Sequence, residues 1–305
     1  MLVGTALFAV TNVVAYHSNG YFERERDYHD EVTGYFERPH ATAVFAGDSH
    51  VAQLDNSLLA PDVYNVAWGG DSLREVYAKL RYLVARHAKI DTLFLTADPH
   101  MFGDGRMESS NRAFVDEYLL LSLSPYGFEH GWPSAALGTV PLFNDDFVQY
   151  LKKTITESLK HDRQKIRGGE EDGEWAQLPA AERLKIASAA GAEDHTGIGA
   201  HPEPFQWYER IAALAQANNI HIVAVMYPSH DAYIDAIPPQ AESLVRAELQ
   251  RLNIHDVLDF RRAFADPAYF SDPDHVSRRG AIALLRLMSE RTGRDLLARD
   301  LLARQ

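Results

Sequence analysis

Five short apolar runs, none with an interior Gly or Pro, are spaced along the chain and alternate with amphipathic stretches of helical period. They are Ala41–Ala46 (ATAVFA), Val63–Ala67 (VYNVA), Thr92–Ala97 (TLFLTA), His221–Met226 (HIVAVM) and Val257–Phe260 (VLDF). Strand-length runs interleaved with helices argue for an α/β sheet rather than for separate all-α and all-β parts. Between the second and third runs, Ser72–Arg86 carries Leu73, Val76, Tyr77, Leu80, Leu83 and Val84 at helical spacing, the pattern of a crossover helix. Phe205–Ala217 leads into the fourth run and Gln240–Leu252 into the fifth. A last helix, with Ala281, Leu284, Leu285 and Met288, is expected to start after Ser277 as N-cap and to stop at Gly293. The third and fourth runs are separated by far more chain than a crossover needs, so residues from about 103 to 203 read as an insertion.

With 30 Lys plus Arg against 43 Asp plus Glu, the formal charge is −13, which repels phosphate backbones and excludes nucleic acid as the expected partner. The chain has no Cys, so a nucleophile has to be a hydroxyl, and thiolate and Cys-zinc chemistry are excluded together. Residues 1–22 contain no Asp, Glu, Lys or Arg. As a helix their apolar part would reach about 24 Å, short of the roughly 30 Å hydrocarbon core, so the segment reads as the trailing part of a signal anchor. The plainer alternative is an apolar helix packed on the domain or on a partner. The expected layout is an N-terminal segment at 1–22, a linker at 23–40 and one domain over 41–305. Within the insertion, GGEEDGE at 168–174 reads as a solvated loop, its order of acids fitting no EF-hand.

Two local patterns carry chemistry. At the end of the first run the chain reads FAGDSH, Phe45–His50, ahead of a short helical pattern. Ser49 there would sit at the carboxyl end of a parallel strand and at a helix N-terminus, both suited to a nucleophile that develops negative charge. The alternative is a turn and cap. Before the last helix the chain reads YFSDPDHVSRRG, Tyr269–Gly280. Asp272 and His275, three apart on a turn, let the carboxylate orient the near ring nitrogen and leave the far one free as a base. The alternative is a capping Asp beside a surface His.

In these blocks and their order the sequence resembles the SGNH, or GDSL, hydrolase family. The resemblance implies a flavodoxin-like three-layer α/β/α sandwich on a five-stranded parallel sheet. It also implies Ser49 as nucleophile, His275 as general base and Asp272 as its orienter. NVAWGGDS, Asn65–Ser72, looks like the family's glycine block, which implies an oxyanion hole from the N–H groups of Ser49 and of Gly69 or Gly70. The third block departs from the family: LTADPHMF places Asp98 where the family has an Asn donor. A carboxylate accepts only, so either Asp98 is protonated, or His100 or Asn111 substitutes, or catalysis is weak.

The lead-in AVTNVVAYHSNGYF is similar to that of an extracytoplasmic SGNH subgroup that works beside membrane-bound O-acyltransferases on cell-surface polysaccharide. The resemblance implies an anchored, periplasmic or otherwise extracytoplasmic protein with an acylated carbohydrate or other ester as substrate and such an acyltransferase as partner. The rival is a catalytically silent relative that binds polysaccharide or a partner protein.

Further pocket candidates are Tyr227, Ser229 and His230 in MYPSH after the fourth run, and Trp68, which could stack on a sugar. His50, His100, His230 and His275 lie in separate loops without ligand spacing, and no His-Glu-x-x-His, Gly-x-Gly-x-x-Gly or P-loop is present, so neither metal nor cofactor is expected.

Overall fold

The computed structural model describes residues 10–13, 20–107, 109, 111–115 and 174–302. The chain divides into two units, one of Met1–Gly34 with Asn111–Lys165 and one of Tyr35–Ser110 with Ile166–Gln305. The second unit holds the sheet: β1 Ala43–Ala46, β2 Val63–Asn65, β3 Thr92–Thr96, β4 His221–Met226 and β5 Val257–Asp259. All pairings are parallel and the order is β2-β1-β3-β4-β5, the expected flavodoxin-like arrangement. Phe45 lies opposite Asn65 on one side and Phe94 on the other.

The longer helices of this unit are α2 Leu73–Ala85, α3 Ala180–Asp194, α4 Glu203–Ala217, α5 Pro239–Arg251 and α6 Arg278–Thr292, and α1 is Gly20–Thr33 in the other unit. Because crossovers between parallel strands are right-handed as a rule, the reversal of strand order at β1 sends the chain over both faces of the sheet. On one face Ala43, Phe45, Phe94, Val223 and Val225 share a core with Val51, Leu54 and Leu58, which follow β1, and with Ala281, Leu284, Leu285 and Met288 of α6. The Phe45 and Phe94 rings stack at 4.7 Å. The alternate residues Val44, Leu93, Leu95 and Ala224 are also buried, and by the period of two they turn to the opposite face. Burial on both sides is why these strands are apolar throughout.

Most boundaries have a local cause. The Ser72 hydroxyl caps α2 at Arg74 N while the Glu75 carboxylate accepts the Ser72 N–H, a capping box. Ser277 caps α6 by accepting the Gly280 N–H. β2 stops at Asn65, two residues short of the expected end, because the Asn65 side chain takes over the backbone's work. Its oxygen accepts Ala67 N–H, and its amide donates to Val51 O and Leu54 O, tying the segment after β1 to β2.

Within 23–40, the expected linker, residues 23–37 lie in α1 and in a 3-10 turn at Gly34–Glu37, with Tyr28 and Val32 buried and the Tyr28 ring 5.8 Å from Phe114 of the same unit. The charges of this stretch had masked its apolar stripe. The acidic stretch 168–174 lies, apart from Glu174, outside the described residues, as does most of 1–22. Among the described residues no helix is long and apolar enough to cross a membrane.

Candidate active site

The turn after β1 is built around Gly47. A Cβ there would overlap the Val51 side chain and meet Thr96 of β3 at 3.0 Å, so only glycine lets the chain turn this close to the neighbouring strand. Asp48 then caps the short helix Ser49–Ala52, its side chain accepting the His50 N–H. Ser49 opens that helix at the carboxyl edge of the sheet, partly exposed, while its neighbours Asp48 and His50 are buried. Gly69 stands against it, since a Cβ on Gly69 would lie 3.8 Å from Ser49 Cβ. Gly70 adopts φ 85, a left-handed conformation that glycine tolerates, and its carbonyl accepts a hydrogen bond from Ser109 Oγ.

The second piece is the turn leading into α6. Asp272 Oδ1 accepts the backbone N–H groups of Asp274 and His275, and both Asp272 oxygens lie 2.9 Å from His275 Nδ1. His275 is about one-fifth exposed. Burial works against its charge, but the hydrogen bonds and charges of Asp272 and Asp274 outweigh that and push its pKa up to about 10. The Ser49 hydroxyl makes no hydrogen bond to His275 or to any other described residue.

Behind both pieces lies a buried charge network that joins the first, third and last blocks. His50, 2% exposed, donates from Nδ1 to Asp98 Oδ2 at 3.1 Å and from Nε2 to Asp274 Oδ2 at 3.0 Å. Burial disfavours its charge, yet the Asp48 carboxylate and the hydrogen bonds to Asp274 and Asp98 hold its pKa well above the ordinary imidazole range. The His50 ring packs 4.3 Å from that of His100 and meets the His275 ring edge-on at 5.1 Å. Asp48 is fully buried and bonded by His100 Nε2 at 2.9 Å and Arg106 Nη2 at 2.5 Å. Although burial alone would raise its pKa, Arg106, His100 and His50 hold it well below the usual carboxylate range. Asp274 is likewise held low against burial, by His275 and His50.

The remaining expected residues fall into three groups. Asp98 is no oxyanion donor: Oδ1 accepts the Tyr227 N–H, and Oδ2 faces His50 Nδ1 and Thr96 Oγ1. His100 has its Nε2 committed to Asp48, and Asn111 belongs to the other unit, buried ahead of the short helix Arg112–Phe114. Tyr227 sends its ring into the core rather than to the mouth, and its buried hydroxyl has no hydrogen-bond partner among the described residues. Ser229 is buried and donates its N–H to Arg261 O. His230 caps a short helix through Nδ1, packs edge-on against Trp175 at 5.7 Å and gives its N–H to Pro273 O, bracing the Asp272–His275 turn. Trp68 is half-buried beside the exposed Gly69.

Sequence reasoning gave His50, Asp274, Arg106 and Asp48 no role. The one available signal was adjacency: His50 follows Ser49, and Asp274 precedes His275. The expectation of scattered histidines is corrected, because His50, His100 and His275 converge. Asp48, His50 and His100, and also His50, Asp274 and His275, bring ligand-type atoms within 4.8 Å of one another. Both ring nitrogens of His50, which belongs to both groups, face carboxylates, so His50 would have to give up one of these contacts to offer a lone pair to a cation. No protein-family model matches the sequence, and no curated protein matches it either.

Proposed function

We propose that the protein is a serine-dependent ester hydrolase or O-acyltransferase of SGNH type acting on an acylated carbohydrate. The observation that carries this reading is the Asp272–His275 pair, bonded through Nδ1, at the sheet edge that also presents Ser49 with Gly69 against it. Asp272 fixes the tautomer in which Nε2 serves as base. Ser49 Oγ attacks the ester carbonyl while its proton passes to His275 Nε2. The N–H group of Ser49, at the start of a helical turn and so without an intrahelical acceptor, and that of Gly69 or Gly70 in the facing turn carry the oxyanion. The tetrahedral intermediate collapses, the alcohol leaves with the proton from His275, and water or a sugar hydroxyl resolves the acyl-enzyme. Asp98 contributes no donor to this hole. The uncharged lead-in supports an anchored, extracytoplasmic setting, with a membrane-bound O-acyltransferase as the partner and source of acyl groups.

Two tests bear on this reading. Ser49→Ala should abolish turnover of a short-chain nitrophenyl ester while circular dichroism is unchanged, and a fluorophosphonate should label the parent protein at Ser49. Unchanged turnover in the variant would overturn the assignment. The absence of a Ser49–His275 hydrogen bond, together with Asp98 in the donor position, favours a second reading, a silent polysaccharide-binding relative. Folded protein that takes up no fluorophosphonate would establish that alternative.

A further inference from the structure

Asp274 faces two imidazoles at once. Its Oδ2 is 3.0 Å from His50 Nε2 and its Oδ1 is 3.4 Å from His275 Nδ1, where Asp272 is also bound. Two carboxylates therefore compete for one ring nitrogen, and only one of them has a second partner that is charged and buried. Asp272 is held by backbone N–H groups of its own turn, a local arrangement that leaves its carboxylate directed at His275. Asp274 is drawn the other way, toward a cation anchored on the opposite side by Asp98, which is itself fixed by the Tyr227 N–H.

We infer that His50 is a positioning residue: clamped between Asp98 and Asp274, it keeps Asp274 at the longer distance of 3.4 Å from His275 Nδ1 and so leaves Asp272, at 2.9 Å, as the carboxylate that orients the base. This deepens the hydrolase reading above and rests on it for its catalytic meaning, though the clamp itself is a statement about side chains. The charged and titratable groups facing His50 are Asp48, Asp98, Asp274, His100 and His275, and those facing His275 are Asp272, Asp274 and His50. Arg106 acts one step away, on Asp48. The raised pKa of His50 agrees with a cation at this position.

The test uses His50→Gln, which retains a donor and removes the charge, alone and combined with Asp274→Asn. With the charge gone, Asp274 acts undiluted on His275. The His275 pKa, followed by imidazole nitrogen NMR, should rise by about one unit. Ester kcat should fall about 100-fold with KM little changed, as for a misplaced base. Adding Asp274→Asn should reverse both effects, because the competing carboxylate is then neutral; a merely structural His50 would not be rescued this way. A His275 pKa unchanged in His50→Gln, or a loss that Asp274→Asn fails to reverse, overturns the inference.

Should His50→Gln not fold, the single variants decide. Asp274→Asn should lower the His275 pKa and cost far less kcat than Asp272→Asn, and equal losses would make Asp274 the orienter and sink the clamp. The titration needs no turnover. The expected shifts in a protein that fluorophosphonate leaves unlabelled would therefore keep the clamp and remove the hydrolase reading.

Discussion

Asp272 meets His275 Nδ1 with both carboxylate oxygens at 2.9 Å and also accepts the His275 backbone N–H at 2.8 Å, so the carboxylate grips ring and main chain together. Asp272→Asn keeps the shape of this grip but offers an amide that can donate to the ring, favouring the wrong tautomer. The expected outcome is a fall in ester kcat of roughly 10³ to 10⁴-fold with little change in KM. Steady-state kinetics measure it, and a loss under tenfold would remove Asp272 from the triad.

Activity and stability should move in opposite directions as pH rises. His275 must be neutral to accept the Ser49 proton, and its pKa is pushed up to about 10, so kcat/KM should climb through neutral pH and level off near that value. For stability the sign is reversed. A histidine whose folded pKa is raised contributes most below its unfolded value of about 6.5, and the contribution is lost as pH rises toward the folded value. His275 and His50 both act this way. Asp48 and Asp274, held low, contribute above about pH 3.9 and lose that contribution as pH falls through their folded values. Thermal denaturation across pH should thus show greatest stability between about pH 4 and 6.5. A kcat/KM plateau already reached at pH 7 would contradict the assignment of His275.

Gly47→Ala tests the tight turn that presents Ser49. The added Cβ would overlap the Val51 side chain and press on Thr96, both in the core under the site. Overpacking of this kind costs about 1–3 kcal/mol, and here the strain falls on the residue pair leading into the nucleophile. Denaturant unfolding should show that loss, and fluorophosphonate labelling should slow in the folded fraction. Unaltered stability would mean that the turn is looser than its geometry indicates.

Lys79 is buried in α2, forms an ion pair with Asp71 Oδ2 at 2.7 Å and donates a hydrogen bond to Val66 O at 2.6 Å, pinning both sides of the Trp68–Gly70 loop. Lys79→Met removes this ion pair from the buried Asp71 carboxylate, a loss of about 3–5 kcal/mol. Asp71→Leu added to it should recover much of the stability, since the carboxylate that lost the ion pair is then removed as well. Paired urea titrations of the two variants measure this. Equal destabilisation in both would show that the pair matters for something other than its charge.

The sequence by itself determined what is local. Apolar runs became the five strands, β4 to the residue, and burial on both faces of the central strands β1, β3 and β4 demands that composition. Ser72 and Ser277 announced their helices, since a cap acts within one turn. Asp272 and His275 paired as their spacing required, the turn that joins them being three residues long. What only the tertiary structure decided is everything that crosses the sheet edge. His50 reaches Asp98 over 48 positions and Asp274 over 224, and Asp48 reaches His100 over 52. No periodicity records such pairs. They meet because β1, β3 and β5 run parallel and end at one edge, where loops distant in sequence must share a small volume, and buried charges in that volume have to find one another.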